Sequence, residues 1–223
     1  MFKAMIFDMD GVIVDSEPLF FEVAKRLLQK YGVELTEEVN DRYVGIASPG
    51  MWTDLKNVYS LEPGLEELLA LHEEIRGEVF AETQLAPVEG IRELLADLAA
   101  EKIPAAIASS SALSTIYETI DSLGIRSHFE AFVSGEEIER GKPFPDIFLK
   151  AAELLGVRPE ECVVLEDSAH GVKAAALAGM KCIGYANPRS GKQDLSEATC
   201  IVADLRNVDV SFTRGLFRPF PSI

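Results

Sequence analysis

Long apolar runs are missing from this chain: none approaches the ~20 residues that span a bilayer. The opening Met1-Phe2-Lys3 also lacks the extended apolar region of a secretory signal. A cytoplasmic location without a membrane partner is therefore expected. Positive charge is scarce as well, with 21 lysines and arginines against 37 aspartates and glutamates and a formal net charge of −16. Binding to a phosphate backbone needs clustered cations, so nucleic acid is not an expected partner, and anionic lipid is disfavoured for the same reason. Cysteine is limited to Cys162, Cys182 and Cys200 with no Cys-x-x-Cys spacing, which points to reduced core residues rather than a disulfide framework or metal site. His72, His128 and His170 are too scattered for a histidine-based zinc motif, and the Gly-x-Ser-x-Gly elbow of serine hydrolases does not occur. No internal repeat or low-complexity tract breaks the chain.

What is present suits a folded α/β protein. The 223 residues are 48% hydrophobic and 26% charged, enough for one core domain plus an insertion. Short apolar segments at 4–7, 103–108, 131–134, 162–165, 181–185 and 200–203 read as strands. Helical spacing separates most of them, as in 90–100, where Ile91, Leu94, Leu95 and Leu98 share a face, and in 145–155. Strands alternating with helices imply right-handed crossovers and a mostly parallel sheet. Residues 16–82 break this rhythm with consecutive amphipathic helices at 19–31, 37–44, 51–59 and 65–80, punctuated by Gly32, Gly45, Pro49-Gly50 and Pro63-Gly64. The expected layout is thus a core of 1–15 and 83–212, a helical insertion over 16–82, and a tail of 213–223. Proline and phenylalanine content predicts an extended, packed tail.

The first strand breaks into Asp8-Met9-Asp10-Gly11. In extended backbone, residues two apart point the same way, so Asp8 and Asp10 can face one reaction centre while Met9 turns to the packed side. Carboxyl ends of strands are where open α/β sheets bind ligands. Read alone, the tetrapeptide is equally a solvated turn. Three later elements raise its weight. The strand at 103–108 runs into Ser109-Ser110-Ser111 ahead of a helix, offering hydroxyls and free N–H groups to a phosphate, although an ordinary serine cap reads the same. Gly141-Lys142-Pro143-Phe144-Pro145-Asp146 holds an ammonium in a rigid turn, able to neutralise a phosphoryl oxygen. The strand at 162–165 ends in Glu166-Asp167-Ser168, where carboxylates suit a hard divalent cation or cap the next helix.

In this order and at these separations, the four elements resemble the haloacid dehalogenase superfamily, specifically its β-phosphoglucomutase and phosphoglycolate phosphatase branch. The resemblance covers all but the tail and implies a Rossmann-like parallel sheet core with an inserted all-helical cap domain. By resemblance Asp8 is the nucleophile, forming an aspartyl phosphate, and Asp10 is the general acid and base. Ser109, Ser110 and Lys142 would hold phosphate oxygens. Mg²⁺ would be bound by Asp8, the Asp10 backbone carbonyl and Asp167, with Glu166 nearby. Cap candidates for substrate contact are Glu17, Gly45 and Arg76, with Arg42 as an alternative cation.

Asp10 argues against a dehalogenase, because the resembling dehalogenases lack that acid/base residue. In the resembling mutases a cap histidine falls at the position of Phe20 and an arginine at that of Ser48. Both departures favour transfer to water. The expectation is a Mg²⁺-dependent phosphatase of a small phosphorylated metabolite, a sugar or polyol phosphate, acting as a monomer or weak dimer. A sugar phosphate mutase and a non-catalytic phosphometabolite-binding protein are the alternatives.

Overall fold

A computed structural model describes residues 1–83 and 85–217, apart from the side chain of Glu17. The elements run β1 (Ala4–Phe7), α1 (Glu17–Gln29), α2 (Glu37–Asn40), α3 (Ser48–Tyr59), α4 (Leu65–Ala81), α5 (Ile91–Ala100), β2 (Ala105–Ser109), α6 (Leu113–Ser122), β3 (Ala131–Ser134), α7 (Asp146–Leu155), β4 (Cys162–Glu166), α8 (Ala169–Leu177), β5 (Lys181–Tyr185), β6 (Cys200–Val202) and α9 (Val210–Gly215). The strands form one parallel sheet in the order β3-β2-β1-β4-β5-β6, the Rossmann-like arrangement expected. The chain winds outward from β1 to β3 and then returns to the other side of β1 at β4. The crevice at the carboxyl ends of β1 and β4 is therefore the topological switch point.

Side-chain parity divides the core into two layers. Met5 and Phe7 of β1 enter one cluster with α5, α6 and Val210 of α9, whereas Ala4 and Ile6 enter the other with α7 and α8. Both faces are covered, so the central strands read as uninterrupted apolar runs. Helices α1 to α4 bury a third cluster of their own, in which Val23, Leu27 and Leu28 meet Trp52, Leu55, Leu68, Ile75 and Val79. The two chain segments joining these helices to the sheet lie side by side. Val14 bridges Pro87, and Val88 N–H donates to the Ile13 carbonyl at 2.9 Å. Among the described residues, no helix is long and apolar enough to cross a membrane.

Several boundaries differ from the sequence pattern for local reasons. β2 begins after Pro104, while Ile103 N–H closes the end of α5 on Leu98 O at 2.9 Å. Pro49 does not end a loop but sits in the first turn of α3, where its missing N–H costs nothing. The helix expected at 37–44 is α2 followed by a tighter turn over Asp41–Tyr43. The small-residue run 172–180 reads as the next helix in the sequence, but α8 starts at Ala169 because Ser168 caps it, accepting from Gly171 N–H at 3.0 Å. The tail is not extended from 213: α9 carries through Gly215, capped by Asp209, and Phe217 stacks on Phe2 with centroids 6.3 Å apart. The remainder of the expected tail, 218–223, lies outside the described residues. All three cysteines are free, with Cys162 and Cys182 buried.

Leu68 is fully buried in the cluster shared by the four inserted helices. Leu68→Ala is expected to cost about 2–5 kcal/mol in urea unfolding, the range for a leucine truncation that leaves a cavity.

Candidate active site

Backbone pairing carries the end of β1 to Asp8, whose N–H donates to Leu165 O at 2.9 Å. The Asp8 carboxylate accepts from Lys142 Nζ at 2.5 Å, and Lys142 also lies 3.5 Å from Glu166 Oε1. Asp8, Glu166 and Asp167 offer oxygens that all fall within 4.8 Å of one another, and all three residues are buried. Glu166 Oε1 accepts from Ser168 Oγ at 2.8 Å, whereas Oε2 is buried without a hydrogen-bond partner. Asp167 accepts from Ser190 Oγ. Three buried carboxylates thus gather around the Lys142 ammonium. Burial, followed by the charge of Glu166, pushes the Asp8 carboxyl up to about 8 against the opposing pull of Lys142. Burial also disfavours the Lys142 ammonium, yet Asp8 and Glu166 hold its pKa above the ordinary value. The hard oxygen donors and the orphaned Glu166 oxygen fit a divalent cation such as Mg²⁺.

Asp10 has a different shell. Its Oδ1 accepts from Ser16 Oγ at 2.6 Å, and its Oδ2 accepts from Ser109 Oγ at 3.1 Å and Ser111 Oγ at 2.7 Å. A hydroxyl can donate or accept, so this shell can serve Asp10 in either protonation state. Ser110, by contrast, turns toward the inserted helices and donates to Gly45 O at 2.9 Å. Ser16 and Ser111 were not among the residues singled out in the sequence. Ser111 lies in the serine run after β2 and Ser16 just beyond the Asp8–Gly11 turn, and only the fold shows that they converge on one carboxylate.

The inserted helices close over these groups to form a cleft. Asp8 and Asp10 lie on one side, with Phe20, Tyr43, Gly45, Ser48 and His72 opposite. Gly45 has φ +78° and abuts Ser168, so it belongs to the contact between helices and core. Arg76 is placed elsewhere: its guanidinium pairs with Glu73 at 2.8 Å and with Glu118 at 3.6 Å, and it lies over the Phe80 ring. Arg42 pairs with Glu38 at 4.0 Å. The Glu17 side chain lies outside the described residues. His72, passed over as one of three scattered histidines, is 2% exposed and takes a hydrogen bond from Trp52 Nε1 at 3.2 Å. Its signal in the sequence was its position on the buried face of α4, with Leu68, Ile75 and Val79.

Residues 5–185 match the haloacid dehalogenase-like hydrolase family. A phosphorylated carbohydrates phosphatase of Thermotoga maritima is 36% identical over 181 residues, covering 81% of this chain and 83% of that protein. A β-phosphoglucomutase of Bacillus subtilis is 32% identical over 188 residues, 82% of each chain. The crystal structure of a β-phosphoglucomutase from Clostridium difficile matches 97% of each chain with a TM-score of 0.87, a likeness of fold at 23% identity.

Gly11, at φ +81°, has no room for a Cβ, which would overlap the Asp167 carboxylate. Gly11→Ala should lower stability by at least about 1–2 kcal/mol from the left-handed backbone alone, seen as a lower unfolding midpoint. Burial pushes His72 down to about 4, ahead of the smaller opposing effect of Glu73. Between that value and the unfolded pKa near 6.5, the unfolded chain binds more protons. Stability from His72 is therefore complete above about 6.5 and falls on acidification, by ~2 kcal/mol at pH 5. Comparing urea unfolding of the wild type and His72→Phe at pH 7 and pH 5 isolates this contribution.

Proposed function

Since the chain belongs to the haloacid dehalogenase-like hydrolase family, we propose that it is a Mg²⁺-dependent phosphatase of small phosphomonoesters, sugar or polyol phosphates, working through an aspartyl-phosphate intermediate. The observation that carries this reading is the contrast between the two aspartates after β1. Asp8 is buried against Lys142 and the acidic cluster, and Asp10 is held by hydroxyls that tolerate a proton. One carboxylate is placed to attack phosphorus and the other to handle the proton, which is the division of labour an acid/base-assisted phosphoryl transfer needs.

In this mechanism Lys142 offsets the charge of a non-bridging phosphoryl oxygen and lowers the repulsion that the Asp8 carboxylate would otherwise meet. Ser109 and the N–H groups ahead of α6 bind the remaining oxygens. Asp8 attacks in line, and Asp10 donates its proton to the leaving alcohol oxygen. Asp10 then removes a proton from the water that cleaves the aspartyl phosphate, regenerating both carboxyl groups. Asp8, Asp167 and the Asp10 backbone carbonyl would hold Mg²⁺, with Glu166 nearby. When bound, the cation supplies charge neutralisation for the phosphoryl group and its nucleophile. The inserted helices act as a cap over residues 16–82, excluding bulk water when closed.

Phe20 and Ser48 support hydrolysis over mutase chemistry. By family resemblance a histidine and an arginine would occupy these positions in a mutase. Here the Phe20 ring packs on Phe80 with centroids 5.4 Å apart and carries no proton. The names of the related proteins also favour phosphorylated carbohydrates as the substrate class.

Phosphate release from a panel of sugar and polyol phosphates, with and without Mg²⁺, tests the reading. Chelation by EDTA should abolish release and added Mg²⁺ restore it. Asp8→Asn should lower kcat by on the order of 10³-fold or more while leaving the unfolding transition in place. Retention of turnover in that variant would remove Asp8 as nucleophile, and conversion of β-glucose 1-phosphate to its isomer without phosphate release would establish the mutase instead.

A further inference from the structure

The helical side of the cleft contains a hydrogen-bonded chain that the phosphoryl chemistry above does not use. Ser48 and Trp52 lie on α3 and His72 on α4, and the apolar cluster around Trp52, Leu55 and Leu68 sets the spacing of the two helices. Trp52 is fully buried, and an indole N–H can only donate. It donates to His72 Nδ1 at 3.2 Å, so that nitrogen must carry a lone pair. The neutral ring therefore keeps its proton on Nε2, the atom facing Ser48 Oγ at 3.4 Å. Glu73 Oε1 is 4.0 Å from the same nitrogen, beyond hydrogen-bond reach. A serine hydroxyl that accepts from His72 has its own hydrogen available for the cleft, which both residues line.

Charge on this wall is as informative as the hydrogen bonds. Among the described residues lining the cleft there is no lysine or arginine. Arg76, one turn beyond His72, is already engaged by Glu73, Glu118 and the Phe80 ring. Phe20, Tyr43, Ile46 and Met51 supply aromatic and aliphatic surface instead. A second phosphate or a carboxylate on the leaving group would lose its water here and find no counter-ion. An uncharged alcohol can bury apolar surface and use a single well-placed donor.

We propose that Trp52, His72 and Ser48 form the leaving-group specificity element of this cleft. Ser48, held by the Nε2–H of His72, donates to a hydroxyl, ether or carbonyl oxygen of the leaving group. The enzyme therefore acts on monophosphates of uncharged alcohols and discriminates against bisphosphates and phosphorylated acids. Ser48 touches the substrate, and His72 and Trp52 are positioning residues. This deepens the phosphatase reading and rests on it.

The full chain with Mg²⁺ is assayed for phosphate release from ribose 5-phosphate and glycerol phosphate, whose leaving groups are neutral. Fructose 1,6-bisphosphate and phosphoglycolate supply charged leaving groups, and phenyl phosphate supplies one without a hydroxyl. The better neutral ester should exceed both charged esters in kcat/KM by about 10-fold or more. In Ser48→Ala and in His72→Phe, the kcat/KM ratio of that ester to phenyl phosphate should fall about 10-fold, chiefly through KM, as for loss of one hydrogen bond. His72→Gln, which can place an N–H near the Nε2 position, should recover most of the ratio. Ser48→Ala leaves the packed ring in place and keeps the test decisive if His72→Phe does not fold. Preference for a charged ester, an unchanged ratio in Ser48→Ala, or failure of His72→Gln to recover the ratio overturns the proposal. Hydrolysis of phenyl phosphate without this discrimination removes only the specificity element, whereas silence on all five esters overturns the phosphatase reading and the element with it.

Discussion

The close burial of several carboxylates at the carboxyl ends of β1 and β4 is the constraint on which the rest of the molecule depends. Asp8, Glu166 and Asp167 sit together with Lys142 as their ammonium partner. Carboxylates removed from water repel one another, and burial together with the charge of Glu166 raises the pKa of Asp8. The fold tolerates them because the surrounding sheet and helices determine their positions, and because such a site gains from binding a cation or placing a cationic side chain. Close packing enforces the arrangement. Gly171 gives the Glu166 carboxylate the space a Cβ would take, and Ser168 both caps α8 and binds the same glutamate.

The inserted helices answer a second constraint. A cleft that binds a small polar molecule must open to admit it and close to exclude water, and a unit with its own apolar core can move without dismantling the sheet. The cluster around Trp52 and Leu68 supplies that core, and the paired segments at Val14 and Pro87 join it to the sheet. Polar contacts join the inserted helices to the core: Ser110 donates to Gly45 O, Gln193 Nε2 to Asp41 O, and Arg76 meets Glu118. Such contacts can exchange with water more readily than apolar packing can separate.

Much of this was legible along the chain. The apolar runs of β1, β3 and β5 matched the strands residue for residue because strands covered on both faces leave an uninterrupted signature. Alternation of helix and strand identified the parallel sheet through the handedness of crossovers. Errors fell where a side chain or proline altered a helix end: Ser168 starting α8 early, Pro49 inside α3, and Asp209 sustaining α9 into the expected extended tail. Periodicity carries no information about such caps.

The sequence by itself determined the alternating scaffold, the parity that aims Asp8 and Asp10 to one side, and the carboxylates, serines and lysine available at strand ends. These follow from local backbone geometry and from periods of two and about 3.6 residues. Tertiary structure alone decided that Lys142 meets Asp8 across 134 positions, that Ser16 joins Ser111 on Asp10, and that Arg76 is taken up by Glu118. It also decided that His72 is buried against Trp52 with a fixed tautomer. Each is a contact between segments brought together by packing, and a linear pattern records which side chains exist but not which of them come within hydrogen-bond distance.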